Sequence, residues 1–245
     1  MSRKNRALES QQQSTKMNFE NAIPFDRSRS RREVPIIPKT ITQEKYLLAL
    51  NDDSKNIVLA YGPAGTGKTY LAMQVAVRAL RTGVCTKLIL TRPAVAVEEE
   101  DHGFLPGDLN QKMEPWTRPL FDVLRECYSP REIEKLLDEQ TVEISPLAFV
   151  RGRTFKDAWI IFDEAQNSTS NQMKAILTRL GANSKIVVTG DLNQVDRRFV
   201  KDNGLLDFIR RAKECPSSRV ASVEYSLRDV QRHPVVVDVL KMYGE

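Results

Sequence analysis

"GPAGTGKT" (residues 62–69) follows directly on the apolar run "NIVLAY" (residues 56–61), and its reading decides the fold. Gly62, four residues, then Gly67, Lys68 and Thr69 is the P-loop spacing. Its glycines permit backbone angles that turn successive N–H groups inward around a phosphate. In that reading Gly62, Pro63, Ala64, Gly65, Thr66 and Gly67 form the cradle. Lys68 reaches the outer phosphates, and the Thr69 hydroxyl is a magnesium ligand. The motif requires a strand before it and a helix after it. Ile57 to Tyr61 supplies a short β-type run, and Leu71, Ala72, Val75, Ala76, Ala79 and Leu80 then recur at helical spacing until Gly83. A plainer alternative is a Gly-rich turn beside an incidental Lys-Thr pair.

Working outward, 245 residues have room for one large α/β domain or two small ones, and a 41% apolar content is enough for a core. No run approaches the roughly 18 apolar residues of a membrane span, and no apolar signal-peptide region opens the chain. Cys85, Cys127 and Cys215 are odd in number and far apart. They suit neither a zinc site nor a disulfide framework, and read as reduced thiols in a cytoplasmic protein. The net charge of +5 is unevenly placed. Residues 1–33 carry eight Lys/Arg against four Asp/Glu, leaving 29 Lys/Arg against 28 Asp/Glu for the rest. The basicity belongs to the tail, so charge alone argues weakly for a basic binding face.

Residues 1–33 are polar and rich in Gln, Ser and Arg, and are expected to form a disordered basic arm. From Val34 to Glu245 the composition is globular. "TITQEKYLLAL" reads as a helix capped by Thr40 or Thr42. Strand runs follow at Ile57–Tyr61, Lys87–Thr91, Val142–Ile144, Trp159–Asp163, Ile186–Thr189 and Val220–Tyr225, with helical stretches between most of them. Such alternation specifies an α/β fold with a mostly parallel sheet flanked by helices. Asp108–Gln140 reads as a helical insertion at the sheet's carboxyl edge.

Hydrolysis needs more than a phosphate cradle. In "AWIIFDEAQN" an apolar strand ends in Asp163 and Glu164. Asp163 can hold magnesium through water, and Glu164 can polarise an attacking water; the bland alternative is two solvated acids. "KIVVTGDLNQVD" repeats the form, bringing Asp191 and Gln194 to the same crevice at the carboxyl ends of the strands. Gln194 there hydrogen-bonds a γ-phosphate or lytic water, or else the stretch is an Asx-type turn capping the next helix. The residues alone leave both open.

Five stretches together carry a resemblance: "GPAGTGKT", "HGFLPGDLNQKMEPWTRPLFD", "RGRTFKDAWIIFDEAQNSTSNQMKAILTRLG", "KIVVTGDLNQVD" and "RDVQRHPVVVDVL". From about residue 38 to the C-terminus the chain resembles the PhoH-like family, phosphate-starvation-associated P-loop ATPases with a core similar to superfamily 1 helicases. The resemblance implies a single RecA-like domain that binds ATP and Mg²⁺, hydrolyses ATP, and acts on RNA. It implies the roles above for Lys68, Thr69, Asp163 and Glu164, and makes Gln194 a γ-phosphate sensor. By similarity to helicase Q-motifs it offers Gln43 as an adenine reader, the alternative being an exposed helix-start residue.

Three positions depart from the family's pattern. His102 stands where Leu is usual, Trp116 where Tyr is common, and Arg197-Arg198 where Leu-Pro is usual. Candidate nucleic-acid contacts are Arg92, Trp116, Arg118, Arg151 and Arg153, although Arg92 and Arg153 are equally suited to pairing with carboxylates. With one RecA-like domain, the arginine that a second domain supplies in helicases is expected from a neighbouring subunit, Arg232 first and Arg228 second. The resemblance implies a hexameric ring. The resulting expectation is a magnesium-dependent ATPase coupled to single-stranded RNA or DNA. Its rivals are an ATPase that remodels a protein partner and a slow nucleotide-gated regulatory module.

Overall fold

The structure, a computed structural model, describes residues 35–93, 118, 120–150 and 152–242. The basic arm, His102, Trp116, Arg151 and residues 108–117 of the expected insertion lie outside the described residues. Helix α1 (Ile41–Asn51) starts on Thr40, whose hydroxyl accepts the Gln43 N–H at 3.2 Å, so Thr40 and not Thr42 is the cap. Strand β1 (Ile57–Tyr61) leads through the Gly-rich loop into helix α2 (Lys68–Thr82), which Gly83 ends in a left-handed conformation. Strand β2 is Lys87–Arg92. Residues 120–127 are helical, and helix α3 (Pro130–Asp138) follows on a Ser129/Glu132 capping box.

Strand β3 (Val142–Pro146) and the short helix α4 (Leu147–Val150) precede strand β4 (Ala158–Phe162). Then come helix α5 (Ser170–Leu177), strand β5 (Lys185–Gly190), helix α6 (Gly204–Glu214), strand β6 (Val220–Glu224) and helix α7 (Pro234–Met242). All six expected strand runs are strands; Ile57–Tyr61 matches at both ends and the other five shift by one or two residues. The most consequential shift is at β4, which stops at Phe162 and leaves Asp163 as the first residue beyond the sheet.

The six strands form one sheet in the order β3-β2-β4-β5-β1-β6, and every neighbouring pair is parallel. A parallel sheet is covered on both faces, which is why its central strands read as unbroken apolar runs instead of alternating ones. Alternate residues still divide between two cores. Val58, Ala60, Leu88, Leu90, Trp159, Ile161 and Val187 face α1, α2 and the helical stretch 120–127. Leu59, Ile89, Ile160, Phe162, Ile186 and Val188 face α4, α5 and α6. With strand β5 between β1 and β4, the carboxyl ends of the P-loop strand and the Asp163 strand stand two inter-strand spacings apart, about 10 Å.

Among the described residues no helix is long and apolar enough to cross a membrane, and the three cysteines are unbridged. Burial pushes the Cys85 thiol up to about 11, whereas Cys215 is exposed. The thiolate is the reactive form, so at pH 8 roughly one Cys85 in a thousand is ionised, and the group is also shielded. Iodoacetamide at pH 8 should therefore label Cys215 in the native protein and Cys85 only after unfolding in urea. Peptide mass spectrometry reads the difference.

Candidate nucleotide and magnesium site

The loop after β1 has the backbone that a phosphate cradle needs. Gly62, Gly65 and Gly67 all take positive φ, at 132°, 77° and 84°. At Gly62 an added Cβ falls 2.3 Å from the Tyr225 carbonyl oxygen, so both conformation and space demand glycine. Gly67 is the N-cap of α2 and offers no side-chain acceptor, and the first intrahelical bond runs from the Leu71 N–H to the Gly67 carbonyl at 2.9 Å. The N–H groups of the first helical turn thus lack intrahelical acceptors, and with the helix dipole they favour an anion. Lys68 lies on the same turn, 8% exposed. Its Nζ donates to the Gly62 and Pro63 carbonyls, each at 2.7 Å. Burial pushes its pKa down, against the pull of Asp191, Glu164 and Asp163.

Thr69 and Asp163, distant in sequence, meet directly. The Thr69 hydroxyl donates to Asp163 Oδ1 at 2.8 Å, and the Thr189 hydroxyl donates to the same oxygen at 2.6 Å. The intervening strand supplies Thr189, whose oxygen is also 3.4 Å from that of Thr69. This hydroxyl–carboxylate cluster beside an anion cradle is a hard-oxygen donor set that fits Mg²⁺, a cation that takes few protein ligands and keeps several waters. Asp191, at the end of β5, adds a second anionic group. Its Oδ2 is buried without a hydrogen-bond partner among the described residues.

Glu164 stands in a left-handed conformation (φ 51°, ψ 40°), uncommon for a side-chain-bearing residue. It is held from two sides. Arg92 Nη2 lies 3.3 Å from Oε1, and Gln166 Nε2 donates to Oε2 at 2.5 Å. Gln166 is fully buried, and its Oε1 accepts the Asp191 N–H at 3.1 Å. The next residue, Asn167, accepts the Asp196 N–H at 3.0 Å. The two amides therefore grip both ends of the turn that carries Gln194. That turn is the Asx type: Asp191 Oδ1 accepts the Asn193 N–H at 3.0 Å and caps a 3₁₀ segment, Leu192–Gln194, on which Gln194 is exposed. Where the family's pattern has Leu-Pro, Arg198 closes on Asp196 through its backbone and side chain, and holds that carboxyl at about 2.

Gln43 is not an exposed helix-start residue, being only 4% exposed. Its Nε2 donates to the Thr66 carbonyl at 3.0 Å and its Oε1 accepts the Lys39 N–H at 2.7 Å, which props the P-loop from behind. Arg232 is exposed on the C-terminal segment, beside the P-loop. The Gln231 N–H donates to the Gly65 carbonyl at 2.9 Å, which lays Arg232 over the P-loop of its own chain, so that a Cβ at Gly65 falls 2.7 Å from Arg232 Nε. Arg228 is exposed on the preceding 3₁₀ turn.

Of the candidate nucleic-acid contacts, Arg92 leaves the carboxyl edge and Arg118 is exposed. Arg153 is withdrawn as a candidate: it forms a two-pronged ion pair with Glu143, which Lys87 also approaches at 3.0 Å, and packs over the Phe155 ring. No role was assigned from sequence to Gln166, Asn167 or Thr189. The available signal was polarity in an apolar setting, since a hydroxyl at the end of a buried strand and a fully buried amide both need partners.

The chain is similar to known proteins over most of its length. The family profile described as PhoH-like protein matches residues 35–244. A PhoH-like protein of Mycobacterium tuberculosis is 47% identical over 215 residues, covering 88% of this chain and 60% of that protein. One of Bacillus subtilis is 42% identical over 229 residues, covering 93% and 70%. Protein PhoH of Escherichia coli is 38% identical over 245 residues, covering 99% and 68%. The chain thus spans about 60% of the length of its mycobacterial relatives. Among solved structures, the HK97 bacteriophage large terminase aligns at 13% identity and a TM-score of 0.47, over 79% of this chain and 40% of that one. The fold is an α/β sheet of six parallel strands carrying a P-loop, and the chain belongs to the PhoH-like family.

Proposed function

We propose that the chain is a cytoplasmic, magnesium-dependent ATPase whose turnover is coupled to single-stranded nucleic acid, RNA in the first instance. The observation that carries this reading is the 2.8 Å bond between Thr69 and Asp163, which brings the P-loop and the acidic strand end to one point. Backbone N–H groups of residues 64–69 bind the phosphates of ATP, and Lys68 exchanges the Gly62 and Pro63 carbonyls for phosphate oxygens. Thr69 and Asp163 would hold Mg²⁺, and the ion would supply charge neutralisation for the transferred phosphoryl group.

Glu164 accepts a proton from the attacking water, and Gln194 reports the γ-phosphate. Gln43 keeps one N–H and one lone pair beyond its two backbone bonds with which to read adenine. Arg232, over Gly65, stabilises phosphate charge from within the chain. Arg228 becomes the arginine offered to a neighbour in a head-to-tail homo-oligomer.

The amide of Glu164→Gln is isosteric and cannot take the water's proton. This variant should bind ATP like the wild type yet release phosphate about 10²–10⁴-fold more slowly. Lys68→Ala should lose both binding and turnover. Nucleotide binding by fluorescence and phosphate release by a coupled assay separate the two, and wild-type turnover in Glu164→Gln rejects the assignment.

A mixing experiment decides how Arg232 acts. Combining Lys68→Ala with Arg232→Ala subunits should leave turnover dead, because an intrachain arginine cannot be lent to the neighbour's intact P-loop. Activity reappearing after demonstrated subunit exchange reverses that conclusion.

A further inference from the structure

Glu164, on which the proposed hydrolysis rests, has both carboxylate oxygens engaged, Oε1 by Arg92 and Oε2 by Gln166. A water that is to be polarised competes with these two donors for the carboxylate's lone pairs. Gln166 is poorly placed to yield, being fully buried and simultaneously bonded to the Asp191 N–H. Arg92 is well placed to yield. It is the last residue of β2, at the carboxyl edge, and its side chain is 31% exposed against 32% for Glu164. An ion pair this exposed is weak, and a guanidinium binds a phosphate as readily as a carboxylate. Arg197, on the 3₁₀ turn Arg197–Phe199 in the loop that follows β5, is also exposed. An exposed guanidinium at the carboxyl edge and another on a following loop suit an extended polyanion better than a single acidic side chain.

We infer that Arg92 is a phosphate-operated latch on Glu164. With no polymer bound it clamps the carboxylate; the phosphodiester backbone of a single strand crossing the carboxyl edge draws the guanidinium away and frees Glu164 for the water. Arg92 is then a positioning residue that acts through Glu164. The inference rests on the ATPase reading of Glu164, but its first test needs no hydrolysis. By linkage, if phosphate and Glu164 compete for Arg92, removing the Glu164 charge must tighten nucleic-acid binding.

The test is fluorescence anisotropy of a labelled oligouridine of about 20 nucleotides, at low salt and without nucleotide, using the full chain and its Glu164→Gln, Arg92→Gln and doubly substituted forms. Glu164→Gln should bind about two- to five-fold more tightly than wild type. Arg92→Gln should bind more weakly, with a salt slope reduced by about 0.7. The double variant should match Arg92→Gln alone. Equal binding by wild type and Glu164→Gln overturns the latch, and so does tightening that persists without Arg92, which is simple charge removal. Polyglutamate should show no such cycle; if it does, the occupant is an acidic protein segment and the nucleic-acid assignment falls. Oligouridine binding to none of the forms removes the nucleic-acid part of the proposed function together with the latch, whereas binding without coupling removes only the latch. In turnover assays Arg92→Gln should raise the basal rate about two- to five-fold and no longer respond to oligouridine. A lowered basal rate means that Arg92 holds Glu164 productively, and overturns the latch.

Discussion

Asp163 accepts two hydroxyls on one oxygen, from Thr69 and Thr189, and the site depends on that junction. Thr69 is on the first turn of α2, Asp163 is one residue beyond β4, and Thr189 lies in the strand between. With β5 between β1 and β4, all three side chains reach the junction. With two strands between them, about 15 Å of sheet would exceed what a threonine and an aspartate can bridge. Strand order therefore sets the chemistry as surely as residue identity does.

Around that junction a layer of buried and half-buried amides sets the loops. Gln43 holds the Thr66 carbonyl, Gln166 holds Glu164 and the Asp191 N–H, and Asn167 holds the Asp196 N–H. A buried loop carbonyl or N–H left without a partner costs about 1–3 kcal/mol, so each amide stabilises one loop conformation over its alternatives. The left-handed backbone of Glu164 opposes this by about 1–3 kcal/mol. The shell over-determines the turn, and the strain aims the carboxylate between Arg92 and Gln166 instead of along the strand axis.

The C-terminal segment shows how backbone contacts can reassign a side chain. "SLRDVQRHP" invites a reading in which its arginines project toward another molecule. A single bond from the Gln231 N–H to the Gly65 carbonyl instead folds the segment onto the loop and puts Arg232 over Gly65. The local sequence has no means of displaying that bond, since its two ends are 166 residues apart in the chain.

The sequence by itself determined the α/β class, the six strands, the P-loop and the acidic pair after β4. These follow from patterns within a dozen residues: apolar runs of strand length, helical spacing ending at Gly83, and glycines where positive φ is required. Family membership was legible too, because the motifs that carry it are contiguous. Only the tertiary structure decided which polar side chains serve the site and which serve the fold. Arg92 and Arg153 have the same charge and similar settings in the sequence, yet one pairs with Glu164 beyond β4 and the other with Glu143 on an edge strand. Gln43 and Gln194 are both glutamines near phosphate motifs, yet one is buried against the loop and the other exposed on a turn. A polar group's role is set by the partner that satisfies it once water is removed, and partners are assigned by strand order and loop closure across the whole chain.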